Sequence, residues 1–147
     1  MRCRQPEKAA VPLKAAARMD ETLYGMLAAE QLIPAAEGWT PVSAYVREQL
    51  MTELSASLDE EALEGDVRAD QMSLRSRMID DGTAPSAANF ARFEPVMNAD
   101  GSIRALRFVF PPYQVAPYVE GTITVAVPAR VLLPLVAAEY RPLFRQG

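Results

Sequence analysis

Histidine is absent from the 147 residues. With it goes the usual general base near neutral pH, the orienting partner of serine and cysteine nucleophiles, and the commonest zinc ligand. Cysteine is nearly absent too: Cys3 is alone, so no internal disulfide can form. A lone cysteine near the start brings lipidation to mind, but no apolar run precedes Cys3, and the plainer reading is a free thiol on a frayed terminus. Net positive charge is also missing. At −4, with a pI near 4.9, the chain lacks the field that draws a protein to a phosphate backbone, and nucleic acid is not expected as a partner.

No stretch approaches the roughly 20 apolar residues of a membrane-spanning helix. Residues 1–14 lack the apolar centre of a secretion signal, so the chain as written would be cytoplasmic. The seven glycines are scattered, without a phosphate-cradling loop or a nucleophile elbow.

What remains is a globular composition. Half of the residues are apolar and 23% are charged, which suits one packed domain rather than a disordered chain. Residues 1–14, with Pro6 and Pro12, read as a flexible arm; residues 15–140 form a single domain, and 141–147 a tail, loose from Tyr140 onward. A first helix is predicted from Asp20, bearing Leu23, Met26, Leu27 and Leu32 and stopped by Pro34. A stronger one starts at Thr40, placed to cap it, with Pro41 in the first turn. Val42, Tyr45, Val46, Leu50, Leu54 and Leu58 fall on one face of that helix, and Trp39 is an anchor beside it. Over 59–82 the apolar set thins to Leu63, Val67, Leu74 and Met78, which predicts a second, partly exposed helix ended by Asp80-Asp81-Gly82.

After Pro85 the period changes from helix to strand. Phe90 and Phe93 open a strand that Pro95 confines to an edge or a bulge; Asn98–Gly101 is a turn, and Leu106, Phe108 and Phe110 alternate with Arg107 and Val109. A third strand follows at Thr122–Val127, with Ile123, Val125 and Val127 on one face. Pro128 then opens a closing helix that Pro134 kinks or restarts. The expected fold is α+β: a small three-stranded antiparallel sheet with helices packed on one face.

Two constellations bear on function. Asp59, Glu60, Glu61, Glu64, Asp66 and Asp70 are dense enough to raise carboxylate chemistry, in which two acids about 5–10 Å apart cleave glycosidic bonds; a solvated helix face is the simpler reading. Asp80, Asp81 and Asp100 lack the spacing of a calcium loop, and neither a metal nor a cofactor is expected. The second constellation joins the last two strands. Pro111, Pro112, Pro117 and Gly121 stiffen this loop, and Tyr113, Gln114, Tyr118 and Glu120 are its candidate contact residues. The alternative is that both tyrosines pack on the sheet and satisfy loop amides.

Tyr113-x-Val115-Ala116-x-Tyr118-x-x-Gly121, followed by the Thr122–Val127 strand, Pro128 and a Leu-rich helix, resembles the signature of the RsiV-like envelope domain family. That family supplies the extracellular domain of the RsiV-type anti-sigma factor, which binds lysozyme, and an accessory domain of some peptidoglycan deacetylases. The likeness is good over 86–137 and looser over 37–60, where Trp39 and the Val42–Leu58 helix match the family's helix-then-hairpin order. It implies a non-catalytic binding or sensing module of the bacterial cell envelope, periplasmic or extracellular, with a muramidase or cell-wall glycan as ligand. Members are usually longer, with a strand-rich segment before the helix, so the chain looks like the C-terminal half of such a protein. The sheet's open edge must then be covered, by residues 8–29 or by a second chain in a homo-oligomer. Alternatives are a carboxylate-dependent enzyme acting on glycans and a truncated, inactive paralogue.

Overall fold

The computed structural model describes residues 28–117 and 120–145. The predicted arm, most of the first helix and Tyr118 lie outside them. In chain order the elements are α1 (Ala29–Leu32), α2 (Trp39–Glu60), α3 (Gly65–Gly82), β1 (Phe93–Met97), β2 (Ile103–Phe110), β3 (Ile123–Pro128) and α4 (Ala129–Leu132), with 3-10 turns at Ala36–Gly38, Ala88–Phe90 and Ala138–Leu143. The α+β expectation holds. The strands form one antiparallel sheet in the order β1-β2-β3.

Helix α2 begins at Trp39, one residue before the expected start. The Ala36–Gly38 turn feeds directly into it, leaving Gly38 rather than Thr40 at the cap position, and no side chain caps it. Val42, Val46, Leu50, Leu54 and Leu58 are buried along one stripe, as their spacing requires. The helix ends in a Schellman arrangement: Ala62 donates its N–H to the carbonyl of Asp59, and Leu63 reaches back to that of Leu58. Ala62 takes φ 58° there, where glycine is the usual occupant.

Helix α3 then returns antiparallel along α2. Arg68 meets Asp59 at 2.8 Å, Arg47 pairs with Asp80, and the buried Ser43 hydroxyl donates to the carbonyl of Thr83. Ile79 and Met72 pack inward while Val67 and Leu74 face outward, matching the partly exposed helix that the thin apolar set predicts.

The sheet's inner face carries Leu106, Phe108 and Phe110 from β2 and Val125 and Val127 from β3, all buried; Thr124 and Ala126 on the other face are exposed. Phe90 does not open β1. It lies in a 3-10 turn because its ring is drawn into an aromatic cluster: it stacks on Trp39 with centroids 5.4 Å apart and meets Phe108 edge-on at 5.3 Å. Pro95 stands on edge strand β1, beside a register break between Val96 and Met97.

Pro128 closes β3 and α4 is a single turn, which stops before Pro134. Among the described residues after Tyr140, Phe144 and Arg145 are tied to the domain. Phe144 is buried and bridges to Ile103, Arg145 donates its N–H to the Ile103 carbonyl at 2.8 Å, and its guanidinium lies 3.0 Å from Asp100.

Candidate functional site

The loop from Pro111 to Gly121 leaves β2 where Phe110 is buried and two prolines deny the ladder further N–H donors. Its first half is a tight turn. Gln114 donates its N–H to the carbonyl of Pro111 at 3.1 Å, and Tyr113 donates to that of Ala116 at 3.1 Å. Closing this turn places Tyr113 at φ 79°, in the left-handed region that a bulky L-residue rarely occupies. Tyr113 is 69% exposed, while Val115 and Ala116 beside it are buried. The chain thus sinks two small apolar residues and raises the tyrosine between them and the prolines.

Two hydrogen bonds fix this turn, one to the end of α3 and one to the Ala88–Phe90 turn. The Gln114 side-chain amide donates to two carbonyls, that of Gly82 at 3.0 Å and that of Asn89 at 2.9 Å. Gly82 permits the approach because it has no side chain: a Cβ there would stand 2.0 Å from the Gln114 carbonyl oxygen and 2.7 Å from a Val115 methyl. Further along, Arg75 of α3 lies 3.7 Å from Glu120. The Arg75 side chain is only 15% exposed, so this pair works in a less screened setting than the other surface pairs. Glu120 also donates its N–H to the Pro117 carbonyl at 2.9 Å, and Gly121 at φ 73° turns the chain into β3.

Of the expected contact residues, Tyr113 is the one presented at the loop's tip. Gln114 faces inward as the anchor, Glu120 is exposed and tied to Arg75, and Tyr118 lies outside the described residues. Pro111, Pro112 and Pro117 are half-buried in the loop's base. Sequence reading gave Gly82 only the role of a helix stop and gave Asn89 and Arg75 no part in the site; their roles come from contacts far away along the chain. The one available signal was the glycine ending α3, readable as a close approach as well as a stop.

The acidic run spans the end of α2, the turn after it and the start of α3. Asp59, Glu60, Glu61, Glu64, Asp66 and Asp70 are all exposed, with Asp59 paired to Arg68. No group of three or more His, Cys, Asp or Glu side chains among the described residues is placed to hold a metal ion. None of the described helices is long and apolar enough to cross a membrane. Chemically, the loop offers an exposed aromatic ring with a hydroxyl, on a turn anchored through Gln114.

The sequence profile of a family described as a protein of unknown function, DUF3298, matches residues 36–130, from the turn before α2 to the start of α4. No curated protein and no solved structure matches the chain.

Proposed function

The chain belongs to the DUF3298 family, and we propose that it is a non-catalytic binding or sensing module whose contact surface is the Pro111–Gly121 loop. One observation carries this reading: Tyr113 is held 69% exposed in a left-handed conformation, on a loop that Gly82 and Gln114 clamp from behind. Backbone strain of this kind costs about 1–3 kcal/mol and gathers at ligand clamps and active sites. A tyrosine serving only to fill the core would be buried. Presented as it is, the ring offers a large contact area with little side-chain entropy to lose on binding, which is why tyrosine is enriched among residues that dominate interfaces.

The resemblance to the RsiV-like domains extends the proposal to the bacterial cell envelope and to a muramidase or a cell-wall glycan as ligand. Both suit the surface. A tyrosine ring packs on the apolar face of a sugar or in a protein pocket, and its hydroxyl supplies a polar end.

The test is a binding titration of the protein against a purified lysozyme and against soluble peptidoglycan fragments, repeated with Tyr113→Ala. The reading requires affinity for at least one of them to fall by about thirty-fold, the loss of roughly 2 kcal/mol expected at an interface hot spot, with melting unchanged. Equal affinity in the variant, absence of binding to both probes, or unfolding on substitution would each overturn it.

A further inference from the structure

The two edges of the sheet are not alike. β1 carries Glu94, Pro95 and a register break between Val96 and Met97, all of which blunt an exposed edge against pairing with another chain. β3 is blunted at its end alone, where Pro128 has no N–H to offer. Thr122–Val127 contains neither a charge nor a proline, and the pairing of β3 with β2 runs without a register shift. Among the described residues β2 is its one neighbour in the sheet.

Ladder parity identifies which backbone groups of β3 face away from the sheet. Val109 donates its N–H to the carbonyl of Arg92 at 2.9 Å, on the β1 side. Backbone groups alternate in direction along a regular strand, so Arg107 and Val109 point toward β1, whereas Leu106, Phe108 and Phe110 point toward β3. Their partners Val127, Val125 and Ile123 point back. Thr124 and Ala126 are left with N–H and C=O directed outward. Both residues are exposed, and among the described residues neither takes part in a backbone hydrogen bond outside the sheet.

We infer that this edge pairs antiparallel with β3 of a second copy of the chain, joining two sheets into one. A two-fold axis at Val125 sets Thr124 opposite Ala126 of the second copy, so that each outward donor meets an outward acceptor. The strand is neutral, so no like charges are brought together even though the whole chain carries −4. The guarded β1 edge makes the assembly close at two chains instead of growing into a fibre. This surface lies outside the contact residues of the Tyr113 loop, and the inference does not rest on the role proposed for that loop.

The experiment is sedimentation equilibrium of the full chain and of two variants. Ala126→Pro removes one outward N–H and leaves the β2 ladder its bonds, because the amide of Ala126 does not face β2. Thr124→Lys brings a positive charge to the same edge on each copy. The wild type is expected to be a dimer and both variants monomers, with thermal melting of the monomeric variants showing an intact fold. If one variant unfolds, the other decides. If both unfold, amide hydrogen exchange of the wild type across a dilution series decides, with Thr124 and Ala126 losing protection as the dimer dissociates. A monomeric wild type at millimolar concentration overturns the inference, whether its edge amides exchange freely or are protected by another segment of the same chain. A dimer that survives both substitutions overturns it as well.

Discussion

The carbonyl oxygen of Gln114 lies where a side chain on Gly82 would begin: a Cβ at residue 82 would stand 2.0 Å from it. The atom in the way is backbone, so no rotamer change relieves the clash. Gly82 sits at the end of α3, and its requirement comes from this approach and not from its own backbone angles. Gly82→Ala is therefore expected to push the Pro111–Gly121 loop off α3 and to destabilise the protein by about 1–3 kcal/mol, the usual cost of overpacking. Urea unfolding measures this. A variant as stable as the wild type would show that the loop is not clamped at this point.

Gln114 supplies the other half of the clamp. Gln114→Leu keeps much of the side-chain volume but leaves the carbonyls of Gly82 and Asn89 without their donor. A loss of about 1–3 kcal/mol is expected for half-buried acceptors left unmatched, together with faster exchange of the Tyr113 and Gln114 amides. Hydrogen exchange followed by mass spectrometry over this loop checks the local effect, and urea unfolding the global one.

Among the described residues two non-glycine residues sit at left-handed φ, Ala62 at 58° and Tyr113 at 79°, and they call for opposite outcomes on function. Ala62 closes the Schellman turn after α2 and is exposed, so Ala62→Gly is expected to stabilise the protein by about 1 kcal/mol and leave binding untouched. Tyr113→Gly relieves a comparable strain and is expected to leave stability equal or slightly raised while abolishing ligand binding. Melting and a binding titration on both variants separate the two cases.

Asp100 gives the pH dependence. The hydroxyl of Ser102 at 2.5 Å and its N–H at 2.9 Å hold the Asp100 carboxyl below its ordinary value of 3.8, and Arg145 adds a smaller pull. A carboxylate whose folded value is depressed contributes stability that is present above the unfolded value and is lost as pH falls through the folded one. Stability is thus expected to drop as pH falls below 3.8. Ser102→Ala should flatten that acid limb by lowering melting slightly near neutrality while leaving it nearly unchanged at the acid end, which a series of melts across pH checks.

Much of the fold was legible because it follows from local periodicity. The buried stripe of α2, the Asn98–Gly101 hairpin turn, the edge position of Pro95 and the inward set Ile123, Val125 and Val127 all come from spacing and from what proline cannot donate. The misses have long-range causes. Phe90 reads as a strand residue until Trp39, far away along the chain, captures its ring. Phe144 is a single aromatic in a polar end and carries no period, yet it is buried against the start of β2. The loop was visible as a stiff aromatic segment, but its anchoring was not. Gln114 and Gly82 are 32 positions apart, and nothing in either neighbourhood announces the other.

The most direct test of the loop's role is a map of backbone amide shifts in the labelled protein as a lysozyme, or soluble peptidoglycan fragments, are titrated in. Perturbations concentrated on Tyr113, Gln114 and the residues up to Gly121 are the predicted result. Shifts gathered instead on the acidic stretch from Asp59 to Asp70, or no shifts with either probe, would contradict the assignment of this loop as the contact surface.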